Sequence, residues 1–251
     1  IQMLKQRGIQ QAREGDLEEA RMNFLRELNL KQKQYPKDHP KIGHTYVNLG
    51  VVYKMQGKMD KALEYYDKAD RIYSSSENVG VRKTATNYQN MANIYSLQRD
   101  YEKAKNYYQR ALNLLRKDSI NNLDRMGMVY NNLGIMLRNQ GKTSNAISYY
   151  KRSIQLKREI GSELLAGSYS NLANAYNDIN KISQAEKYLN KAIDIETQNY
   201  GKESQSLGTY IMNLGLIKQK KSELIEANKH LKNSLNLLRK SWGKVHPLTS
   251  S

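Results

Sequence analysis

The 251-residue chain has no cysteine, one phenylalanine, one tryptophan, three prolines and four histidines. Without thiols there is no disulfide, no thiolate zinc site and no cysteine nucleophile, a composition that favours the cytoplasm. No apolar run approaches the roughly 20 residues a helix needs to cross a bilayer. No basic-then-apolar segment opens the chain either, so no membrane association is expected. The histidines are isolated: His39 and His246 fall in linkers, His44 begins a helix and His230 lies within one. Paired-histidine zinc motifs, phosphate-cradling glycine loops and serine elbows are all missing. The chain therefore reads as non-enzymatic, with no cofactor and no metal site. Pro36, Pro40 and Pro247 all sit where helices would be joined.

Charge of one sign dominates. Forty-one Lys and Arg stand against 24 Asp and Glu, a net charge of +17 that favours acidic partners: acidic peptides, nucleic acid or an anionic surface. The basic residues are spread along the chain. The last segment is among the densest, where Lys218, Lys220, Lys221, Lys229, Lys232, Arg239, Lys240 and Lys244 face only Glu223 and Glu226.

The sequence repeats itself. A small residue recurs at Gly8, Gly50, Ala92, Gly134, Ala173 and Gly215, at spacings of 42, 42, 42, 39 and 42. Twelve positions after each comes an alanine: Ala20, Ala62, Ala104, Ala146, Ala185 and Ala227. Four positions further stand Phe24, Tyr66, Tyr108, Tyr150, Leu189 and Leu231. The linkers keep phase, since YPKDHP at Tyr35, YGKESQ at Tyr200 and WGKVHP at Trp242 superimpose. Each unit reads as two amphipathic helices. In the second, Leu49, Val52, Tyr53 and Met55 recur at helical steps before Gly57, and Ala62, Tyr65, Tyr66 and Ala69 after it. Gly15, Gly57 and Gly141 suit a tight turn with positive φ. One helix pair cannot bury its own apolar face, so the units must stack.

This pattern resembles the tetratricopeptide repeat family. It matches in the small eighth residue, a tyrosine eleventh (Tyr53, Tyr95, Tyr176), alanine twentieth, an aromatic twenty-fourth and a small residue twenty-seventh (Ala69, Ala111, Ser153, Ala192, Ser234). The 42-residue unit is similar to the long-repeat subclass of kinesin light chains and of bacterial regulatory proteins, some of which carry a caspase-like protease domain or a signalling kinase. The resemblance implies an all-α fold, a right-handed superhelical solenoid of six stacked helix-turn-helix repeats. These repeats, forming a single array over residues 1–251, fall at about 1–42, 43–84, 85–126, 127–165, 166–207 and 208–249. The first unit departs at Gln11 and Glu27, the sixth at Lys218 and Ser222. Both ends read as cut, which suggests a piece of a longer protein.

The sixth position of successive units holds Gln6, Asn48, Asn90, Asn132, Asn171 and Asn213. Asparagine is a mediocre helix former, so its repeated use inside helices needs a reason. In the family, positions two, five, six, nine, twelve and thirteen line the concave groove, which adds Asn93, Asn131, Asn139, Asn174 and Asn177. An amide carries a donor and an acceptor and can pair with the N–H and C=O of an extended peptide. The resemblance implies that role for Asn48, Asn90, Asn93, Asn132, Asn171, Asn174 and Asn213. The structural alternative is that these amides bond to the adjacent repeat or to their own backbone. On the same register Lys5, Arg13, Lys54, Arg138 and Lys220 project inward against Asp178, which favours an acidic peptide. Fifth positions Lys5, Val47, Gln89, Asn131, Ser170 and Met212 do not match the basic clamp of chaperone-tail receptors.

The nineteen tyrosines read first as core packing, with base stacking as the sharper alternative. Three functions follow. The first is a protein–protein interaction module that binds a partner's peptide in its groove as an adaptor or sensor. The second is a regulatory segment of a larger effector enzyme such as a caspase-like protease. The third is nucleic-acid binding, which the lack of a varied polar code makes the least favoured.

Overall fold

The computed structural model describes residues 1–76 and 79–242. Among them the chain forms twelve α-helices and no strand: α1 (Gln2–Glu14), α2 (Leu17–Gln34), α3 (Pro40–Met55), α4 (Met59–Ser75), α5 (Val81–Leu97), α6 (Tyr101–Leu115), α7 (Ser119–Asn139), α8 (Thr143–Glu159), α9 (Leu165–Asp178), α10 (Ile182–Tyr200), α11 (Gln205–Lys220) and α12 (Leu224–Trp242). The odd-numbered helices carry the small-residue column and are called A helices below. The even-numbered B helices carry the alanine column. Of the linker residues read from sequence, Lys244, His246 and Pro247 lie outside the described residues.

Two compact units divide the chain at Asn122 and Leu123. In the first, α1 to α6 pack successively, each against the next, and α3 also approaches α5. In the second, α8 to α12 do the same, and α9 approaches α11. The all-α, pairwise-stacked architecture read from the period is what the structure has.

The A–B crossing explains the small-residue column. A Cβ built on Gly50 would lie 2.5 Å from the Tyr66 ring, and one on Gly134 would lie 2.5 Å from the Tyr150 ring. Gly8 and Gly215 face Phe24 and Leu231 in the same way, at 2.9 Å. The twenty-fourth side chain thus lies directly on the A-helix backbone, and Ala20, Ala62, Ala104, Ala146 and Ala185 are fully buried beside it. The alanine leaves room for the helices to close, and the ring fills what remains.

The A–B turn is left-handed in every copy. Gly15, Gly57 and Gly141 have φ of 92°, 76° and 79°. Arg99, Asn180 and Ser222 hold the same position at φ 62°, 59° and 61°. Glycine reaches that region without steric cost and the other three do not. At the next helix start, Pro40 stands at the first position of α3 and His39 caps it, its Nδ1 accepting from Lys41 N at 3.1 Å. His39 is the turn residue that its linker context implies.

Candidate functional site

Three interactions recur from repeat to repeat, and they show which polar groups the fold uses and which it leaves open.

The first lies between the eleventh and twenty-third positions. The rings of Tyr53 and Tyr65, Tyr95 and Tyr107, and Tyr176 and Tyr188 stack with centroids 5.2–5.5 Å apart and planes within 13° of parallel. Tyr46, Tyr88 and Tyr169 approach the same twenty-third rings at 5.9–6.0 Å. A cation three residues on covers each stack: Lys68 over Tyr65, Arg110 over Tyr107, Lys191 over Tyr188. These rings pack against one another and against their cations, the arrangement expected of core packing. In the first unit's opening repeat the pair becomes Gln11 and Asn23, joined by an amide hydrogen bond of 2.7 Å. In the last repeat Lys218 stands in the stack and meets Glu186, Glu223 and Glu226 at 2.6–2.8 Å. Those carboxylates, the Glu186 group foremost, hold the Lys218 ammonium charged. Both departures from the repeat pattern are thus replacement pairings.

The second joins the thirty-first position to the third position of the next repeat. Lys31 donates to Thr45 Oγ1 at 2.9 Å and Lys157 to Ser168 Oγ at 2.9 Å. Both lysines are almost wholly buried. Glu27, the other departure in the first repeat, is the counter-ion of Lys31 at 2.6 Å. Lys157 has no ion-pair partner among the described residues, and burial, opposed by the charge of Asp124, pushes its amine down to about 8.

The third concerns the A-helix asparagines. In the second unit they are bridged. Asn171 donates to Asn131 at 3.1 Å, Asn213 to Asn174 at 3.4 Å, and Lys220 to Asn177 at 2.9 Å. Arg138 forks onto Asp178, with Nη2 3.0 Å from Oδ1. These bonds place one face of α7, α9 and α11 together, and they are the contacts to the adjacent repeat that sequence left open. In the first unit Asn93 accepts from the Tyr108 hydroxyl at 2.6 Å. Asn48, Asn90 and Lys54, by contrast, are half-buried on α3 and α5 and have no side-chain partner among the described residues. Asn132 is half-buried on α7.

The tetratricopeptide repeat model matches residues 1–75 and 125–198, more than half of the chain, and a second model of the same description matches 85–118. The chain belongs to the tetratricopeptide repeat family. Such repeats are in general protein–protein interaction folds. No curated protein matches the sequence. Among solved structures, BtubC (BKLC) from P. vanneervenii is similar with a TM-score of 0.77 at 18% identity, over 92% of this chain and 94% of that one. The Rap conjugation gene regulator of plasmid pLS20, in complex with the Phr* peptide, gives 0.66 at 19% identity over 80% of this chain and 55% of that one. The apo form of RapI gives 0.70 at 17% identity, over 90% and 61%. At these identities the likeness is one of fold, and the chain spans little more than half the length of the two Rap chains. No described helix of this tetratricopeptide repeat chain is long and apolar enough to cross a membrane.

Proposed function

We propose that the chain is a non-enzymatic interaction module whose A-helix faces capture a peptide segment of a partner protein, as an adaptor or sensor. The observation that carries this reading is the state of Asn48 and Asn90. Each is a half-buried amide at the same repeat position on neighbouring A helices, and neither is used by the fold. A part-desolvated amide without a partner is costly unless a ligand or water completes it. Its donor and acceptor match the two groups that an extended peptide presents at each residue. Lys54, on the same helix as Asn48, adds a cation and favours an acidic segment.

In the second unit, Asn171, Asn174 and Asn213 present the amide groups that their hydrogen bonds leave over, on the same face as Asn132, and Asp178 neutralises Arg138. A segment bound there would meet amides rather than net charge. The solved structure of a Rap regulator in complex with the Phr* peptide supports peptide reading by this class of fold.

The test is to cross-link the protein to its cellular partner, identify the bound segment by mass spectrometry and measure affinity for that segment as a synthetic peptide. Asn48→Ala/Asn90→Ala should keep the circular dichroism spectrum, because neither amide holds the fold together. It is expected to weaken binding by about tenfold or more, as two polar partners are lost. Unchanged affinity in the folded double variant would remove this site from consideration.

A further inference from the structure

In the first unit a cavity of 700 Å³ opens between the start of α1, the end of α2, the linker to α3 and the facing ends of α4 and α5. Lys5, Lys31, Lys41, Lys83, His39 and His44 line it, with Glu27 as its one acidic residue. The Glu27–Lys31 pair at 2.6 Å leaves Lys5, Lys41 and Lys83 in excess. Lys41 reaches the Tyr35 hydroxyl at 2.9 Å, whereas Lys5 and Lys83 are exposed and have no partner among the described residues.

Two further lining atoms are buried and unbonded: Glu27 Oε2 and His44 Nε2. Glu27 itself is fully buried. Buried polar atoms are almost always satisfied, so two orphans on residues that line one cavity mark it as a polar place whose bonding the fold leaves incomplete. Burial, followed by the charges of Lys83, Lys31, Lys5 and His39, pushes the His44 imidazole down to about 4. Those four charges make the field at the ring positive, and a bound anion would offset it.

We propose that this cavity binds a small phosphate-bearing molecule with two or more negative charges. Lysines suit phosphate as compact point charges and supply no bidentate fork for a planar carboxylate. The phosphate oxygens face the Lys5, Lys41 and Lys83 ammonium groups, while the buried Glu27 stays paired with Lys31. The Tyr35 and His39 rings, centroids 4.4 Å apart, form a flat wall beside the charges. The volume falls within the range of small-molecule sites. This site is separate from the A-helix amides and stands whether or not they bind peptide.

The experiment titrates the protein with inorganic pyrophosphate at constant ionic strength and follows the histidine C2–H resonances by NMR, with His44→Gln identifying the His44 signal. Saturable binding is expected, together with a rise in the His44 titration midpoint from about 4. Lys5→Ala/Lys83→Ala should weaken binding by about tenfold or more while leaving the fold intact, since both side chains are exposed. The control Lys61→Ala should bind as wild type. A His44 midpoint that pyrophosphate leaves unmoved, or equal affinity in the Lys5/Lys83 variant, would overturn the assignment and reduce the binding to diffuse attraction by a basic surface.

Discussion

The Tyr108 hydroxyl donates to Asn93 Oδ1 at 2.6 Å, whereas the hydroxyls of Tyr66 and Tyr150, at the same repeat position, are buried with no partner among the described residues. The positions equivalent to Asn93 hold Val51 and Ile135, whose side chains have no acceptor. Burial pushes all three phenols well above their ordinary range. Asn93 is therefore a packing partner before it is a ligand contact. Tyr108→Phe is expected to cost about 1 kcal/mol, the net worth of a hydrogen bond, whereas Tyr66→Phe and Tyr150→Phe should be neutral or stabilising. Urea denaturation of the three variants checks this, and equal losses at all three sites would refute it.

Arg99 adopts φ 62° at the turn where Gly57 and Gly141 stand in the neighbouring repeats. An L-residue in the left-handed region is strained, so Arg99→Gly should raise stability by about 1 kcal/mol and Gly57→Arg should lower it by a similar amount. Thermal unfolding followed by circular dichroism reads both. A destabilised Arg99→Gly would mean that Arg99 makes a compensating contact.

Glu27 and Lys31 form a buried ion pair with side-chain exposures of 0% and 8%. Removing one partner strands the other charge, so Glu27→Ala is expected to cost about 3–5 kcal/mol, while Glu27→Leu/Lys31→Met should lie near wild type. Denaturant midpoints for the single and double variants separate pairing from packing. Comparable losses in both would assign the effect to shape alone.

Lys157 titrates near 8 when folded, because burial disfavours its ammonium form. The unfolded side chain titrates near 10.4. Between those values the unfolded state binds more protons, so stability rises with pH across that window and the lysine is least favourable below about 8. Lys157→Met should flatten the rise between about pH 8 and 9.5, before tyrosine ionisation in the unfolded chain pulls the other way. Unfolding free energies measured at several pH values test it. A rise that persists in the Met variant would assign the effect to another group.

The helix count, the turn positions and the alanine and aromatic columns were legible in the sequence because the same local physics recurs at a fixed period. Ala62 and Tyr66 need no distant residue to be understood; each is explained by the helix opposite. The departures were visible as departures, but their causes were not. Glu27 makes sense only beside Lys31 and Thr45, and Lys218 only beside Glu186, Glu223 and Glu226. The asparagine column was legible as a column. Sequence did not separate Asn48 and Asn90, which have no partner among the described residues, from Asn171 and Asn213, which bridge to the preceding A helix.

Sequence by itself determined the repeat: its period, its pair of helices, and the small residues that let those helices close, all consequences of steric fit over a few turns. Tertiary structure decided which polar groups the fold consumes. The Tyr108–Asn93 bond, the Arg138–Asp178 fork and the cavity between Lys5, His44 and Lys83 each join residues about 15 to 80 positions apart. A side chain's hydrogen-bonding capacity is set by its type, but whether that capacity stays available to a partner depends on what packing brings within about 3 Å of it.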